Sequence, residues 1–154
     1  MPLSVGQKAP PFTLPATGGA PVTLGGLKGR KVVIYFYPKD DTSGCTREAQ
    51  DFQALREEFK TSDTEVIGIS ADSVASHDRF RAKYGLDFTL ASDEDKSVLE
   101  TYGVWVDKSM YGRTYKGVER TTILIDRDGV VARIWPQVKV PGHAQEVLAA
   151  AKAL

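Results

Sequence analysis

The run Lys31-Val32-Val33-Ile34-Tyr35-Phe36-Tyr37 constrains this chain more than any other stretch. It is nearly continuous in β-branched and aromatic residues and offers no polar face to water. Such a strand is buried on both sides, so its sheet must be covered on each face by other elements. A second run of the same kind, Glu65-Val66-Ile67-Gly68-Ile69-Ser70-Ala71, follows after a helical stretch. Two buried strands joined through a helix predict a parallel pair inside an α/β sheet.

The rest of the chain fits around that pair. From Cys45 to Phe59 the apolar residues Ala49, Phe52, Leu55 and Phe59 recur in steps of three and four, which predicts one helix with Thr42 and Ser43 as candidate N-caps. Asp72 or Ser73 opens a second helix with Val74, Phe80 and Tyr84 inward. Phe88-Thr89-Leu90 is a short strand, and Asp93 caps a helix carrying Val98, Leu99 and Tyr102. Gly103 to Gly117 reads as a long loop holding Trp105, Met110, Tyr111 and Tyr115, which anchor it, wall a pocket or meet a partner. Thr121–Asp126 and Val130–Trp135 flank Asp128-Gly129 as a hairpin, and Gly142–Leu154 is a helix with Ala144, Val147, Leu148 and Ala151 inward. Near the start, Phe12-Thr13-Leu14 and Val22-Thr23-Leu24 flank Gly18-Gly19 as a small hairpin or two edge strands. The order predicts an α/β, thioredoxin-like fold: a central mixed sheet flanked by helices, with an N-terminal β-hairpin extension. The pattern alone fits a flavodoxin-like fold as well. At 154 residues, we read 1–154 as a single domain.

Charge and cysteine usage narrow the function classes. The formal net charge is zero, so no overall field draws in nucleic acid or an acidic membrane surface. No apolar run approaches the length of a membrane span. Met1–Lys8 lacks the charged-then-apolar pattern of a secretory leader. One cysteine rules out an internal disulfide and suits a reducing compartment. We expect a cytoplasmic protein, although a mature chain stripped of a leader would look the same.

That cysteine, Cys45, sits where a strand, a proline turn and a helix start meet: Tyr35-Phe36-Tyr37-Pro38-Lys39-Asp40-Asp41-Thr42-Ser43-Gly44-Cys45-Thr46. A lone cysteine is most often a small buried hydrophobe. A filler thiol, however, needs neither a helix start, nor a glycine before it, nor hydroxyls on both sides. Those features supply unpaired amide hydrogens and the positive end of a helix dipole, the setting in which a thiol becomes a nucleophile. Taken alone, Lys39, Asp40 and Asp41 read as a solvated turn.

Pro38-x-x-x-Thr42-x-x-Cys45 resembles the active-site signature of peroxiredoxins, and the longer string resembles the bacterioferritin comigratory protein (PrxQ) branch. Further matches follow in order: Ser92-Asp93-Glu94, Val98-Leu99, Tyr102-Gly103-Val104-Trp105, Met110-Tyr111-Gly112, and Gly117-Val118-Glu119-Arg120-Thr121-Thr122. The similarity runs from Gly6 to the terminal helix. It implies a cofactor-free, thiol-dependent peroxidase acting on hydrogen peroxide and organic hydroperoxides, with Cys45 oxidised to a sulfenic acid. By the same resemblance Arg120 stabilises the thiolate and holds a peroxide oxygen, where taken alone it would be a surface strand residue. Thr42 orients the peroxide, or is a plain helix cap, or both. Pro38 covers the pocket, or simply forms a turn. Gly44 lets the backbone come close to a ligand. Glu48 orients Arg120 through an ion pair, or is merely an acid favourably placed early in a helix.

Two departures matter. Many relatives carry a resolving cysteine five residues after the first, where this chain has Gln50, or on the following helix, where it has Phe80-Arg81-Ala82. The resemblance therefore implies a one-cysteine mechanism with an external thiol reductant: thioredoxin, glutaredoxin or glutathione. Ser43 stands where the family usually has proline, which implies a slightly more mobile turn. A monomer is expected. The reading from another class is a peroxide-sensing thiol module that relays oxidation to a partner protein. No Cys-x-x-Cys exists, and Gly18-Gly19 and Gly25-Gly26 lack the residues of a phosphate cradle. His77 and His143 read as surface or helix-end histidines, with no third ligand in register for a metal.

Overall fold

The two apolar runs lie side by side in one sheet. The computed structural model describes residues 3–154, so Met1 and Pro2, where the stretch read for a leader begins, lie outside the described residues. In chain order the elements are β1 (Thr13–Leu14), β2 (Val22–Thr23), a 3-10 turn (Leu24–Leu27), β3 (Lys31–Phe36), α1 (Ser43–Ala54), α2 (Arg56–Thr61), β4 (Thr64–Ser70), α3 (Val74–Tyr84), β5 (Thr89–Ser92), α4 (Ser97–Thr101), β6 (Trp105–Met110), β7 (Arg113–Val118), β8 (Thr121–Ile125), β9 (Val131–Trp135) and α5 (His143–Ala153). The main sheet has the order β5-β4-β3-β8-β9. β3, β4 and β5 run parallel, and β8 and β9 add antiparallel strands, so the sheet is mixed as expected. β1 and β2 form the N-terminal hairpin.

β3 is central and every residue in it is buried. Its alternation feeds two apolar layers. Val32, Ile34 and Phe36 join Phe12, Leu14, Leu99 and Tyr102 on one face. Val33, Tyr35 and Tyr37 join Cys45, Phe52, Phe80 and Val147 on the other. The second layer lies beneath α1, α3 and α5, so the cysteine-bearing helix start is anchored on a stack of aromatic rings. Tyr35 packs 4.7 Å from Phe52 and 5.4 Å from Tyr37, ring centre to ring centre.

Two expectations are corrected. The helix expected from Cys45 to Phe59 is two helices, broken at Leu55, whose N–H turns back to the Phe52 carbonyl. The break still delivers Phe59 into the core, where it is fully buried. The long loop expected between Gly103 and Gly117 is largely a hairpin. β6 and β7 pair antiparallel from Trp105↔Val118 to Met110↔Arg113. Tyr111 and Gly112 both adopt positive φ (52° and 75°), the paired left-handed turn that matches strand twist. Most of its residues are exposed, so it carries no apolar alternation to reveal it.

Candidate active site

Phe36, the last residue of β3, pairs with Thr121, the first of β8. That register sets Arg120 against the exit of β3, where the chain turns through Pro38 and starts α1. Thr42 occupies the N-cap position of α1, and Cys45 lies in its first turn. Glu48 follows three residues later on the same helical face.

The sheet and the helix thus bring three groups together. Arg120 Nη2 donates to Cys45 Sγ at 3.2 Å, and Arg120 Nη1 donates to Glu48 Oε1 at 2.7 Å. One planar guanidinium serves both partners, a geometry lysine could not supply. Cys45 and Glu48 are each 1% exposed. Burial pushes the Glu48 carboxyl up to about 7 against the opposing pull of Arg120. Burial lowers Arg120, but the charges of Glu48 and Cys45 outweigh it and leave the guanidinium held above its ordinary value. Glu48 Oε2 is buried with no hydrogen-bond partner among the described residues.

Gly44 is placed as a spacer. A Cβ there would lie 3.3 Å from Arg120 Nη2, so a side chain would crowd the guanidinium. Pro38 is half-buried at the end of β3. Thr42 is not hydrogen-bonded to Cys45. Its hydroxyl donates to the Lys39 carbonyl at 2.9 Å, and it makes no side-chain cap bond, so it fixes the turn rather than the helix amides.

The turn itself departs from expectation. Asp41 is exposed, as a solvated turn requires, but Asp40 is buried. Its carboxylate accepts from the Tyr37 hydroxyl at 2.5 Å and the Ser76 hydroxyl at 2.8 Å, and lies 2.7 Å from His77 Nδ1. His77 is neither at the surface nor at a helix end. It is fully buried in the middle of α3, three residues before Phe80, and that inward spacing was the available signal. No local pattern marks Asp40. His143 is at a helix start but buried, with Nε2 2.8 Å from Thr122 Oγ1, and burial holds its pKa below the usual histidine value. Asp40, Asp72 and His77 bring three ligand atoms within 4.8 Å of one another. All three are already engaged in hydrogen bonds with protein groups, so the trio reads as a polar brace rather than a metal centre.

A thiol beside a fixed guanidinium, at a helix start, can attack an electrophile that carries negative charge away. Among the described residues no helix is long and apolar enough to cross a membrane. Comparison with known proteins agrees with that chemistry. Residues 5–134 match the AhpC/TSA family. A bcp-type peroxiredoxin sequence of Coxiella burnetii is 54% identical over 148 residues, covering 96% of this chain and 98% of that protein. Peroxiredoxin Bcp of Xanthomonas campestris is 48% identical, covering 92% and 90%. A solved structure of Xanthomonas campestris peroxiredoxin Q superimposes with a TM-score of 0.89 at 47% identity, covering 92% of this chain and 90% of that one. A structure of the bacterioferritin comigratory protein of that organism, studied for its alkyl peroxide reduction activity, gives 0.88 at 46% over the same shares.

Proposed function

The chain belongs to the AhpC/TSA family, among its Bcp/PrxQ peroxiredoxins, and we propose that it reduces peroxides by cycling Cys45 between thiolate and sulfenic acid. It is a thiol-dependent peroxidase, taking a peroxide as substrate and a thiol as reductant. The observation that carries the site assignment is the guanidinium fork of Arg120, 3.2 Å from Cys45 Sγ and 2.7 Å from Glu48.

The Cys45 thiolate attacks one peroxide oxygen. An S–O bond forms, the O–O bond breaks, and the departing hydroxide or alkoxide takes a proton to leave as water or alcohol. Sulfur is oxidised and the peroxide reduced. Negative charge spreads from sulfur onto both oxygens, and Arg120 stabilises it. Glu48 keeps the arginine aimed, Gly44 leaves it room, Thr42 orients the peroxide and Pro38 shields the sulfur. The sulfenic acid is then attacked by a thiol from outside, giving a mixed disulfide and water. A second thiol displaces Cys45 and completes an external disulfide.

This chain has no second cysteine to intervene, which supports a one-cysteine cycle. Hydrogen peroxide and small organic hydroperoxides are the substrates, in keeping with the alkyl peroxide reduction of the Xanthomonas relative. Thioredoxin, glutaredoxin and glutathione are the candidate reductants. The reading extends to a cytoplasmic monomer whose residues 1–154 form one domain, supported by a single sheet shared between both apolar layers. Peroxide consumption with each reductant, in wild type and Cys45→Ser, tests the function. Many equivalents consumed by wild type and none by C45S is the expected result. One equivalent without turnover is the behaviour of a sensor, and full activity in C45S overturns the assignment.

A further inference from the structure

Ser92, Asp93 and Glu94 take no part in the Cys45 site. They close the carboxyl end of β5, where they border a cleft of about 480 Å³. Crevices at the carboxyl ends of parallel strands are where α/β sheets bind ligands, and the size suits a small molecule. The walls are Pro11, Phe12, Pro15, Val98 and Tyr102. Phe12, Val98 and Tyr102 belong to the apolar layer on the face of the sheet opposite Cys45.

Asp93 forms the floor and is held there firmly. Its N–H donates to the Ser70 carbonyl at 2.9 Å, its carbonyl accepts from the Lys96 N–H at 3.0 Å, and its Oδ2 accepts from the Leu99 N–H at 2.8 Å. The residue is 1% exposed, and Oδ1 is buried with no hydrogen-bond partner among the described residues. Burial, and the carboxyl of Asp95 beside it, push the Asp93 carboxyl up against the pull of the Leu99 amide. A cation arriving there would offset both effects.

Glu94 and Asp95 are exposed at the mouth. Ser97 fixes Asp95 by donating to Oδ1 through its N–H and its hydroxyl, at 3.0 and 2.8 Å. No lysine, arginine or histidine lines the cleft, and among the described residues none of these three acids has an ion-pair partner. Lys96, the one basic residue between Phe88 and Thr101, instead holds Nζ 5.8 Å from the Trp105 ring centre. Among the described residues only Asp40, Asp72 and His77 bring three metal-ligating atoms within 4.8 Å of one another, so the cleft does not gather the ligands of a metal ion. It calls for an organic cation charged at both ends, for floor and mouth, with methylenes between to lie along the proline and aromatic walls. A lysine side chain reaching in would bring one charge only.

We propose that this cleft binds an aliphatic diamine or polyamine, with one ammonium held by Asp93 at the floor and another by Glu94 and Asp95 at the mouth. Isothermal titration calorimetry of the full chain with 1,4-diaminobutane and with spermidine, at fixed ionic strength, tests this. Saturable one-to-one binding is expected, with n-butylamine about tenfold weaker because it lacks the second charged contact. Asp93→Asn should weaken diaminobutane about tenfold or more, the factor for a hydrogen bond to a charged group. Glu94→Gln and Asp95→Asn, both at exposed positions, should each weaken it by a few fold, and they keep the test open should D93N fail to fold. Cys45→Ser should bind as wild type does, so the proposal stands or falls apart from the peroxidase reading. Heats no greater than dilution in wild type, n-butylamine binding as tightly as the diamine, or an affinity unchanged in all three acid variants overturns it.

Discussion

Two buried polar clusters flank the Pro38–Cys45 turn, and they are built on opposite terms. In the cluster of Asp40, His77 and Tyr37, every buried side-chain nitrogen and oxygen has a partner. In the cluster of Cys45, Glu48 and Arg120, Glu48 Oε2 has none, and the Glu48 carboxyl is pushed up to about 7 by burial. Unmet polar groups in a low-dielectric site are costly. A satisfied cluster instead stiffens what it touches. The pairing places a rigid brace behind a reactive edge.

The largest effect that could break this contrast is loss of the reactive atom. Cys45→Ser is expected to abolish thiol-dependent peroxide consumption while leaving the melting temperature near wild type. The satisfied cluster should respond in stability. Asp40→Ala leaves the Tyr37 and Ser76 hydroxyls and the buried His77 Nδ1 without their carboxylate and should cost about 1–3 kcal/mol in denaturant unfolding. At the reactive edge, Arg120→Gln should cost about 10²–10³ in the rate of Cys45 oxidation, the range for removing one fixed charge-stabilising donor, with less harm to stability.

Glu48 sharpens the comparison through pH. Its folded-state pKa, about 7, lies above the ordinary carboxyl value, so the folded protein holds a proton that the unfolded chain has released. That contribution to stability is fully present below the ordinary carboxyl range and is lost as pH rises toward 7. Urea unfolding of wild type should therefore weaken across that window, and Glu48→Gln should flatten the slope. The smallest effect is expected at Gly44→Ala, where a Cβ 3.3 Å from Arg120 Nη2 displaces the guanidinium slightly and slows oxidation by a few fold at most, on the scale of about 1 kcal/mol.

The meeting of Cys45, Glu48 and Arg120 was legible in the sequence through the family resemblance, and the brace was not. β3, β4 and β8 announce themselves because burial on both faces demands unbroken apolar runs. Cys45 is legible because a strand, a proline and a helix start converge on it. Asp40 and Asp41 are chemically identical neighbours, and nothing local says that one turns inward to His77 while the other meets Lys83. That choice belongs to tertiary packing. The β6–β7 hairpin escaped for the opposite reason, since mostly exposed strands need no apolar alternation.

Trapping with a dimedone-type probe after one equivalent of hydrogen peroxide tests the central claim most directly. Mass spectrometry should find the adduct on Cys45 in wild type, forming far more slowly in Arg120→Gln. Peroxide consumed at the wild-type rate with no adduct on Cys45, or an adduct that forms equally fast without the arginine, would contradict it.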